Sequence, residues 1–150
     1  MSEDRAVSST LGYVLTLAIS AILVTGLITA GGNYVANERE QVVRDQLSVI
    51  GQQVAADVER ADRLVRAAPA GTEPATVRIN QTFGDDVTGT NYRISLDPSG
   101  SNTVVVESFD PDISVSIRVT SRTAIAESSA DGGPIQIQYT DSDELVIRDV

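Results

Sequence analysis

The side chains that could ligate a hard cation lie in three short acidic runs, which the surrounding turn residues place in loops. They are Asp85-Asp86, Asp110 with Asp112, and the segment 141–144, which reads Asp-Ser-Asp-Glu. Carboxylate oxygens are the ligands that Ca²⁺ prefers, but none of these runs has the twelve-residue spacing of an EF-hand loop. In a chain with 21 acidic residues, such runs are better explained as solvated turns. We therefore expect neither a metal ion nor another cofactor.

Catalytic chemistry has few candidates because the chain contains no Cys and no His. Thiol nucleophiles, histidine bases and Cys/His zinc sites are thereby excluded, and no glycine-rich phosphate loop occurs. Glu59 and Asp62 share a helical face, but three arginines lie close by, so we expect ion pairs rather than an acid/base pair. We therefore predict that the protein is not an enzyme, and a membrane-anchored enzyme is the weakest hypothesis for its function.

One modification motif is present. Asn80-Gln81-Thr82 forms an N-glycosylation sequon at the end of a predicted strand. Modification there requires that this part of the chain lie outside the cell. Asn80 is therefore a candidate glycosylation site.

Charge limits the partners that the chain can bind. Its 11 basic residues are all Arg, and the formal net charge is −10. This charge disfavours nucleic acid, and it equally disfavours peripheral attachment to anionic lipid. An acidic surface without lysine resembles that of halophilic archaeal proteins, in which carboxylates keep the protein hydrated in concentrated salt.

An apolar segment near the N-terminus is the strongest signal in the sequence. Residues 6–37 contain no charged side chain, and within them residues 11–30 read LGYVLTLAISAILVTGLITA. Twenty helical residues rise about 30 Å, which matches the hydrocarbon thickness of a bilayer. The side chains that we expect to contact lipid or neighbouring helices are Leu11, Val14, Leu15, Leu17, Ile19, Ile22, Leu23 and Leu27.

The polar residues of this segment are compatible with lipid, because Ser and Thr can bond back to carbonyls of their own helix. We expect this of Thr16, Ser20, Thr25 and Thr29. A buried helix of a soluble protein is the first alternative, but the rest of the chain is too short to cover the segment on all sides. A secretory signal peptide is the second, but the apolar run is long for one and a further helical pattern follows it directly.

The residues before the apolar segment carry a family resemblance. A short charged leader ends in Arg5-Ala6, and the run RAVSSTLGYVLTLAIS follows from Arg5. This arrangement resembles the class III signal peptide of archaeal type IV pilins, in its haloarchaeal version, although Ser9 stands where proline is usual. The resemblance implies that a prepilin peptidase cleaves between Ala6 and Val7, so that Arg5, Ala6 and Val7 form the processing site.

The same resemblance implies an orientation and a function. Residues 1–6 would be a cytoplasmic leader, residues 7–36 a transmembrane helix, and the remainder extracellular. The distribution of Arg does not itself favour a cytoplasmic N-terminus. The chain would then be a structural or minor subunit of a type IV pilus-like assembly on the cell surface. Its partners would be membrane lipid, the peptidase, and other pilin-like subunits or itself. The alternative is a single-pass, membrane-anchored binding or accessory domain that does not polymerise.

An amphipathic pattern follows over residues 37–68 and predicts a stalk helix. Its apolar stripe comprises Val43, Leu47, Ile50, Val54, Val58, Ala61 and Val65. Their spacing is close to 3.67 residues, which indicates one face of a nearly straight helix. The stripe can dock the chain's own β domain, sister helices, or both. Pro69 and Gly71 are expected to end the helix, and Gly31-Gly32 is the expected place for a kink or a local break.

From residue 75 the apolar period changes to two, which predicts an extracytoplasmic β-rich domain over residues 75–150. Strands are expected around residues 77–79, 92–96, 104–106, 113–119, 124–126, 135–139 and 145–147. Turn residues separate them at 84–86, 97–100, 110–112 and 131–134. We therefore predict an α+β protein, with a long N-terminal helix followed by a small antiparallel sheet or sandwich whose C-terminus is tied into the sheet.

Overall fold

The computed structural model describes residues 2–68 and 77–150, with side chains from residue 10 onward. One α-helix, α1, spans Ser2–Ala67. It continues without interruption through Gly31 and Gly32, so the expectation of a local break there is wrong. The predicted helix terminators Pro69 and Gly71 lie outside the described residues.

The chain divides into two compact units, one reaching from the N-terminus to Arg39 and the other spanning Glu40–Val150. The second half of α1 therefore belongs to the same unit as all the strands. This unit supplies the entire buried core of the described residues.

Nine strands follow the helix. They are β1 (Arg78–Thr82), β2 (Asp86–Val87), β3 (Thr90–Asp97), β4 (Thr103–Phe109), β5 (Asp112–Arg118), β6 (Ala124–Ile125), β7 (Ser128–Asp131), β8 (Pro134–Tyr139) and β9 (Glu144–Asp149). All seven predicted strands are present, and the α+β architecture is confirmed. Two strands, β2 and β7, were not predicted. They take in Asp86 and Asp131, which stand at the edges of predicted turn segments, while the chain bends at Asp85, Gly132 and Gly133 inside those segments.

The strands form two sheets. The first has the order β1-β8-β9-β6, and the second has the order β2-β3-β4-β5 with β7 paired to β3. The pairings are antiparallel except that of the short β6, which runs parallel to β9. The C-terminal strand lies inside the first sheet, and the backbone N–H of Val150 donates to the carbonyl of Pro134 at 3.2 Å. The predicted attachment of the C-terminus is thus confirmed.

The core joins one face of α1 to both sheets. Five residues of the predicted helical stripe, Val43, Leu47, Val54, Val58 and Ala61, are fully buried, while Ile50 and Val65 are partly buried against them. They pack in one cluster with Ile94, Leu96, Val104, Val106, Ile135, Ile137, Leu145 and Ile147. The stripe therefore docks the chain's own β strands, as one of the two interpretations predicted.

The helix approaches the second sheet closely at Gly51. A Cβ atom built on this glycine would lie 2.9 Å from Cγ1 of Ile117 on β5 and 3.3 Å from Cγ2 of Val106 on β4. Core packing at this density leaves no room for a methyl group without a shift of the neighbouring side chains. Gly51 therefore permits the close helix–sheet contact.

Candidate membrane-anchoring helix and its β unit

Residues 11–30 of α1 are predominantly apolar and are exposed on every side of the helix. The eight residues predicted to contact lipid or sister helices, Leu11, Val14, Leu15, Leu17, Ile19, Ile22, Leu23 and Leu27, are between 51% and 73% exposed. A soluble protein does not leave a contiguous apolar surface of this size in water, because each exposed aliphatic side chain forgoes about 1.5–3 kcal/mol of burial free energy. The segment therefore needs an apolar environment that its own chain does not supply.

The serine and threonine hydroxyls of residues 11–30 donate hydrogen bonds within the helix. The hydroxyl of Thr16 donates to the Gly12 carbonyl at 2.9 Å, and that of Ser20 donates to the Thr16 carbonyl at 2.8 Å. Thr25 and Thr29 donate in the same way to the carbonyls of Ala21 and Thr25, at 2.8 and 3.0 Å. All four predicted hydrogen bonds from a hydroxyl to a carbonyl of the same helix are confirmed. They remove the cost of placing free hydroxyl donors in hydrocarbon.

The length and the mean hydropathy of α1 also indicate a membrane-spanning segment. Among the described residues, one helical span, Thr10–Ala67, contains a window apolar enough to cross a membrane, with a mean hydropathy of 2.2 and no part of that window buried. A soluble core helix would be mostly covered by its own chain, and this window is not. Residues 2–68 and 77–150 thus contain one candidate membrane-spanning helix, near the N-terminus, consistent with a single-pass membrane protein.

The predicted processing site lies at the start of the same helix. Arg5, Ala6 and Val7 belong to the α1 backbone, and their side chains are outside what the structure describes. Cleavage between Ala6 and Val7 therefore stays a prediction of the sequence.

Asp62, near the end of α1, binds a loop of the β unit. Its Oδ1 accepts hydrogen bonds from the backbone N–H groups of Arg122 and Thr123, at 3.1 and 2.9 Å, and from the Thr123 hydroxyl at 2.8 Å. Its Oδ2 accepts from the Arg66 guanidinium at 3.0 and 2.8 Å. The residue is 2% exposed, so these bonds form where water cannot replace them. Asp62 thereby fixes the loop between β5 and β6 to the helix.

The electrostatics of Asp62 follow from these contacts. Burial of the carboxylate by itself raises its pKa, but the hydrogen bonds from Arg66, Thr123 and Arg122 outweigh that effect and lower the pKa to about 2. Asp62 is therefore ionised at all but strongly acidic pH. Its predicted ion pair is confirmed, with Arg66 as the partner.

Glu59 has a different role from the one predicted. Its Oε1 accepts a hydrogen bond from the backbone N–H of Thr120 at 3.1 Å, instead of pairing with an arginine of the helix. Glu59 and Asp62 lie three residues apart on α1 and bind successive parts of the same loop. Sequence reasoning missed this loop attachment, because its partners are backbone amides about sixty residues away.

The acidic runs bind their own turns. Oδ1 of Asp86 accepts from the backbone N–H of Gly89 at 3.0 Å, and Oδ1 of Asp143 accepts from the Tyr139 hydroxyl at 2.7 Å. In residues 2–68 and 77–150, no group of three His, Cys, Asp or Glu side chains is arranged to hold a metal ion. Asp86 and Asp143 therefore stabilise turns in their own segments.

A shallow cleft of about 300 Å³ lies near Asp85, Tyr92, Phe109 and Gly132. Its one basic side chain, Arg93, forms an ion pair in which Nε donates to Oδ1 of Asp131 at 2.8 Å, and its guanidinium lies 5.6 Å from the Phe109 ring centroid. The Tyr92 hydroxyl donates to the Gly84 carbonyl at 2.8 Å, and burial raises the pKa of this phenol. Arg93 and Tyr92 therefore both make contacts that hold the strands and loops around the cleft.

The candidate glycosylation residue, Asn80, lies on β1 at the edge of the first sheet and is exposed. Its Oδ1 accepts a hydrogen bond from Nε2 of Gln136 at 2.7 Å. The side chain is therefore oriented by the neighbouring strand, a contact that the sequence motif does not reveal.

Comparison with known proteins yields a family and no activity. No curated protein and no solved structure matches the chain. One family model, described as a family of unknown function, DUF7266, matches residues 2–148, which include the apolar helix, the helical stripe and all the strands up to β9. The chain therefore belongs to the DUF7266 family.

Proposed function

We propose that the protein is a pilin-like structural or minor subunit of a type IV pilus-like assembly on an archaeal cell surface, anchored and assembled through its N-terminal helix. The observation that carries the proposal is a single feature of α1. Residues 11–30 of this helix are predominantly apolar and exposed on every side, while the face from Val43 to Ala61 packs in the core of the β unit. A helix that serves both purposes is the architecture that the leader resemblance implies.

Lipid would be the first partner of the apolar segment. Its backbone groups are satisfied within the helix, and so are the hydroxyls of Thr16, Ser20, Thr25 and Thr29, as hydrocarbon requires. On this proposal, residues 7–36 span the membrane once. The leader, residues 1–6, faces the cytoplasm, and the β unit faces the outside of the cell.

Copies of the same helix, or helices of related subunits, would be the second partner. Gly26 and Ala30 lie four residues apart in the apolar segment, a small-residue pattern that allows helices to approach closely. A Cβ atom on Gly26 would meet nothing within 4 Å in the chain itself. On assembly, neighbouring helices would replace lipid around the same side chains without a large change in hydrophobic free energy.

A monomeric, membrane-anchored binding or accessory domain is the second candidate, because it requires the same helix and β unit but no leader processing. The cleft beside Tyr92 is the observation that favours it. The ion pair of Arg93 with Asp131, which offsets the positive charge in that cleft, weighs against it.

The first experiment determines the mature N-terminus of the full chain isolated from membranes of its native host. We expect mass spectrometry to find a chain that begins at Val7, and an Ala6→Phe variant to keep its leader because a bulky side chain replaces a small one at the cleavage site. Ser2→Ala is the matched control within the leader and should still be processed. An intact peptide across residues 5–7 in the wild type would contradict the pilin proposal.

The second experiment separates assembly from simple anchoring. Surface fibres sheared from cells are examined by electron microscopy with an antibody against the β unit. Label along fibres, or at their tips for a minor subunit, is the expected result. A mature chain found only in the membrane fraction as a monomer would support the anchored binding domain.

A further inference from the structure

We propose that Asn80 carries an N-linked glycan, and that a row of hydrogen-bonded side chains across three strands holds its amide nitrogen free for that linkage. The row runs across β9, β8 and β1, where Arg148 is paired with Gln136 and Gln136 is paired with Asn80. Oε1 of Gln136 accepts from Nε and Nη2 of Arg148, at 3.1 and 2.6 Å. Nε2 of Gln136 donates to Oδ1 of Asn80 at 2.7 Å.

The chemistry of arginine fixes the direction of the whole row. A guanidinium can only donate hydrogen bonds, so Gln136 must turn its carbonyl oxygen toward Arg148. The amide nitrogen of Gln136 then faces Asn80, which must present its own oxygen. Gln136 is itself buried, with 9% exposure, so it has little access to water that would allow the opposite orientation.

The consequence for Asn80 is that its two amide atoms have different roles. Oδ1 is held by Gln136, while the described residues offer Nδ2 no acceptor. Asn80 is exposed, and Nδ2 is the atom to which an N-linked sugar is joined.

The rest of the motif is presented on the same side of the strand. Thr82 lies two residues further along β1 and is exposed like Asn80, whereas the intervening Gln81 is partly buried. Successive side chains of a strand alternate between faces, so the two residues of the sequon that matter chemically share one face. Because β1 is at the edge of its sheet, no further strand in the described part of the chain would collide with a sugar there.

The transfer step requires a donor of defined class, a sugar joined through C1 to the phosphate of a membrane lipid. The bond between C1 and the phosphate oxygen breaks, and the lipid phosphate leaves with the electron pair. A bond forms between C1 and Nδ2 of Asn80, which loses one proton to a base of the transferase. The inference rests on the proposed extracytoplasmic position of the β unit.

The sequence supplies an internal comparison. The other asparagines, Asn33, Asn37, Asn91 and Asn102, have no Ser or Thr two positions further on. The chain has no lysine, so trypsin releases residues 79–93 as one peptide that contains both Asn80 and Asn91. A glycan can thus be assigned against an unmodified asparagine in the same fragment.

The test is mass spectrometry of this peptide from the full chain purified from its native host. The expected result is a mass increase that fragmentation assigns to Asn80 with sugar ions, while Asn91 stays unmodified. Thr82→Ser should keep the modification, because a hydroxyl remains, and Thr82→Ala and Asn80→Gln should abolish it. A wild-type peptide found only at its unmodified mass would overturn the inference.

A second measurement separates this inference from the proposed orientation. Since the chain has no cysteine, a Ser142→Cys variant carries one thiol, at an exposed turn position before β9. A membrane-impermeant maleimide should label it on intact cells. Labelling with an unmodified Asn80 would overturn the glycan alone, whereas no labelling until the cells are opened would overturn the orientation and the inference that rests on it.

Discussion

Oδ1 of Asp62 accepts hydrogen bonds from both the backbone N–H and the hydroxyl of Thr123, at 2.9 and 2.8 Å. The two residues are separated by 61 positions in the chain, and the contact joins the last turns of α1 to the loop before β6. A buried carboxylate that binds backbone amides holds a loop more firmly than an exposed ion pair does, because charge-assisted bonds are stronger away from water.

Removal of this carboxylate should destabilise the β unit. In Asp62→Ala, the partly buried backbone N–H groups of Arg122 and Thr123 lose the acceptor that buried Asp62 supplies, and we expect a loss of about 3 kcal/mol in the free energy of unfolding. Denaturant unfolding of the full chain in a non-ionic detergent, followed by circular dichroism, measures it. Glu59→Ala is the matched control. It removes one bond to the same loop and should cost less than about 1 kcal/mol. Equal losses in the two variants would contradict the role given to Asp62.

The same residue predicts a dependence on pH. Hydrogen bonds hold the folded-state pKa of Asp62 at about 2, below its ordinary value of 3.8. A lowered folded-state pKa means that the stabilisation is fully present above the ordinary pKa and is lost as pH falls toward 2. The loss amounts to about 2 kcal/mol at 1.36 kcal/mol for each pKa unit. The advantage of the wild type over Asp62→Asn should therefore shrink by this amount between pH 6 and pH 2. A constant difference over that range would count against the lowered pKa.

Close packing at Gly51 predicts that this position does not accept a larger side chain. Leucine favours helix more than glycine does, so any loss in Gly51→Leu must come from collision with Ile117 and Val106. We expect a net destabilisation of about 2 kcal/mol or more in the same unfolding assay. Ala56→Leu, at an exposed position of the same helix, is the control and should not destabilise. A neutral Gly51→Leu would show that helix and sheet can separate without cost.

Gln138 offers a substitution that should stabilise the protein. Its Oε1 is buried and has no donor in the described structure. Methionine has a similar shape and no such acceptor, so Gln138→Met should raise the free energy of unfolding by about 1 kcal/mol. Gln136→Met, two residues earlier on β8, should instead destabilise by about 1 kcal/mol, because it breaks the bonds to Arg148 and Asn80. The two variants are expected to change the free energy of unfolding in opposite directions. A change in the same direction would contradict the roles given to Gln136 and Gln138.

The membrane prediction is tested with charge. Arginine at both Leu17 and Ile22 should oppose insertion by about 6 kcal/mol in total, since each costs about 2.5–3.5 kcal/mol near the middle of a membrane helix. The double variant should be extracted by alkaline carbonate and should not float with membranes on a density gradient. The control places arginine at Gln46 and Gln53, which are exposed on the same helix beyond the apolar segment. Retention of the Leu17→Arg/Ile22→Arg chain in floated membranes would contradict the proposed span.

Periodicity was sufficient to predict much of the fold. The stripe from Val43 to Val65 indicated which helix face is buried, and alternation indicated strands such as β3 and β5. Strand β7 was not predicted because Ser128–Asp131 contains only one apolar residue and so shows no alternation. Strand β2 was not predicted because it has only two residues. The parallel pairing of β6 with β9 depends on how the chain crosses between strands, which local patterns do not encode.

The contacts that hold the loops depend on register and tertiary position. Asp62 and Glu59 were recognised as neighbours on one helix face. The backbone N–H groups that they bind belong to Thr120, Arg122 and Thr123, and such groups carry no signal in a side-chain pattern. The sequon at Asn80 was visible directly. The orientation of its amide was not, because it depends on Gln136 and Arg148 lying opposite one another across three strands.

The burial of Val43, Leu47, Val54 and Val58 has a practical consequence for trimming the protein. A fragment that begins at residue 75 would keep every strand but lose the helical side of the core, and its sheets would present apolar surface to water. A water-soluble fragment should instead begin near Glu40, where the compact unit that contains the strands starts. By the same reasoning, a protease that cuts shortly after Ala67 would not release an intact β unit. The polypeptide it released would be prone to aggregate.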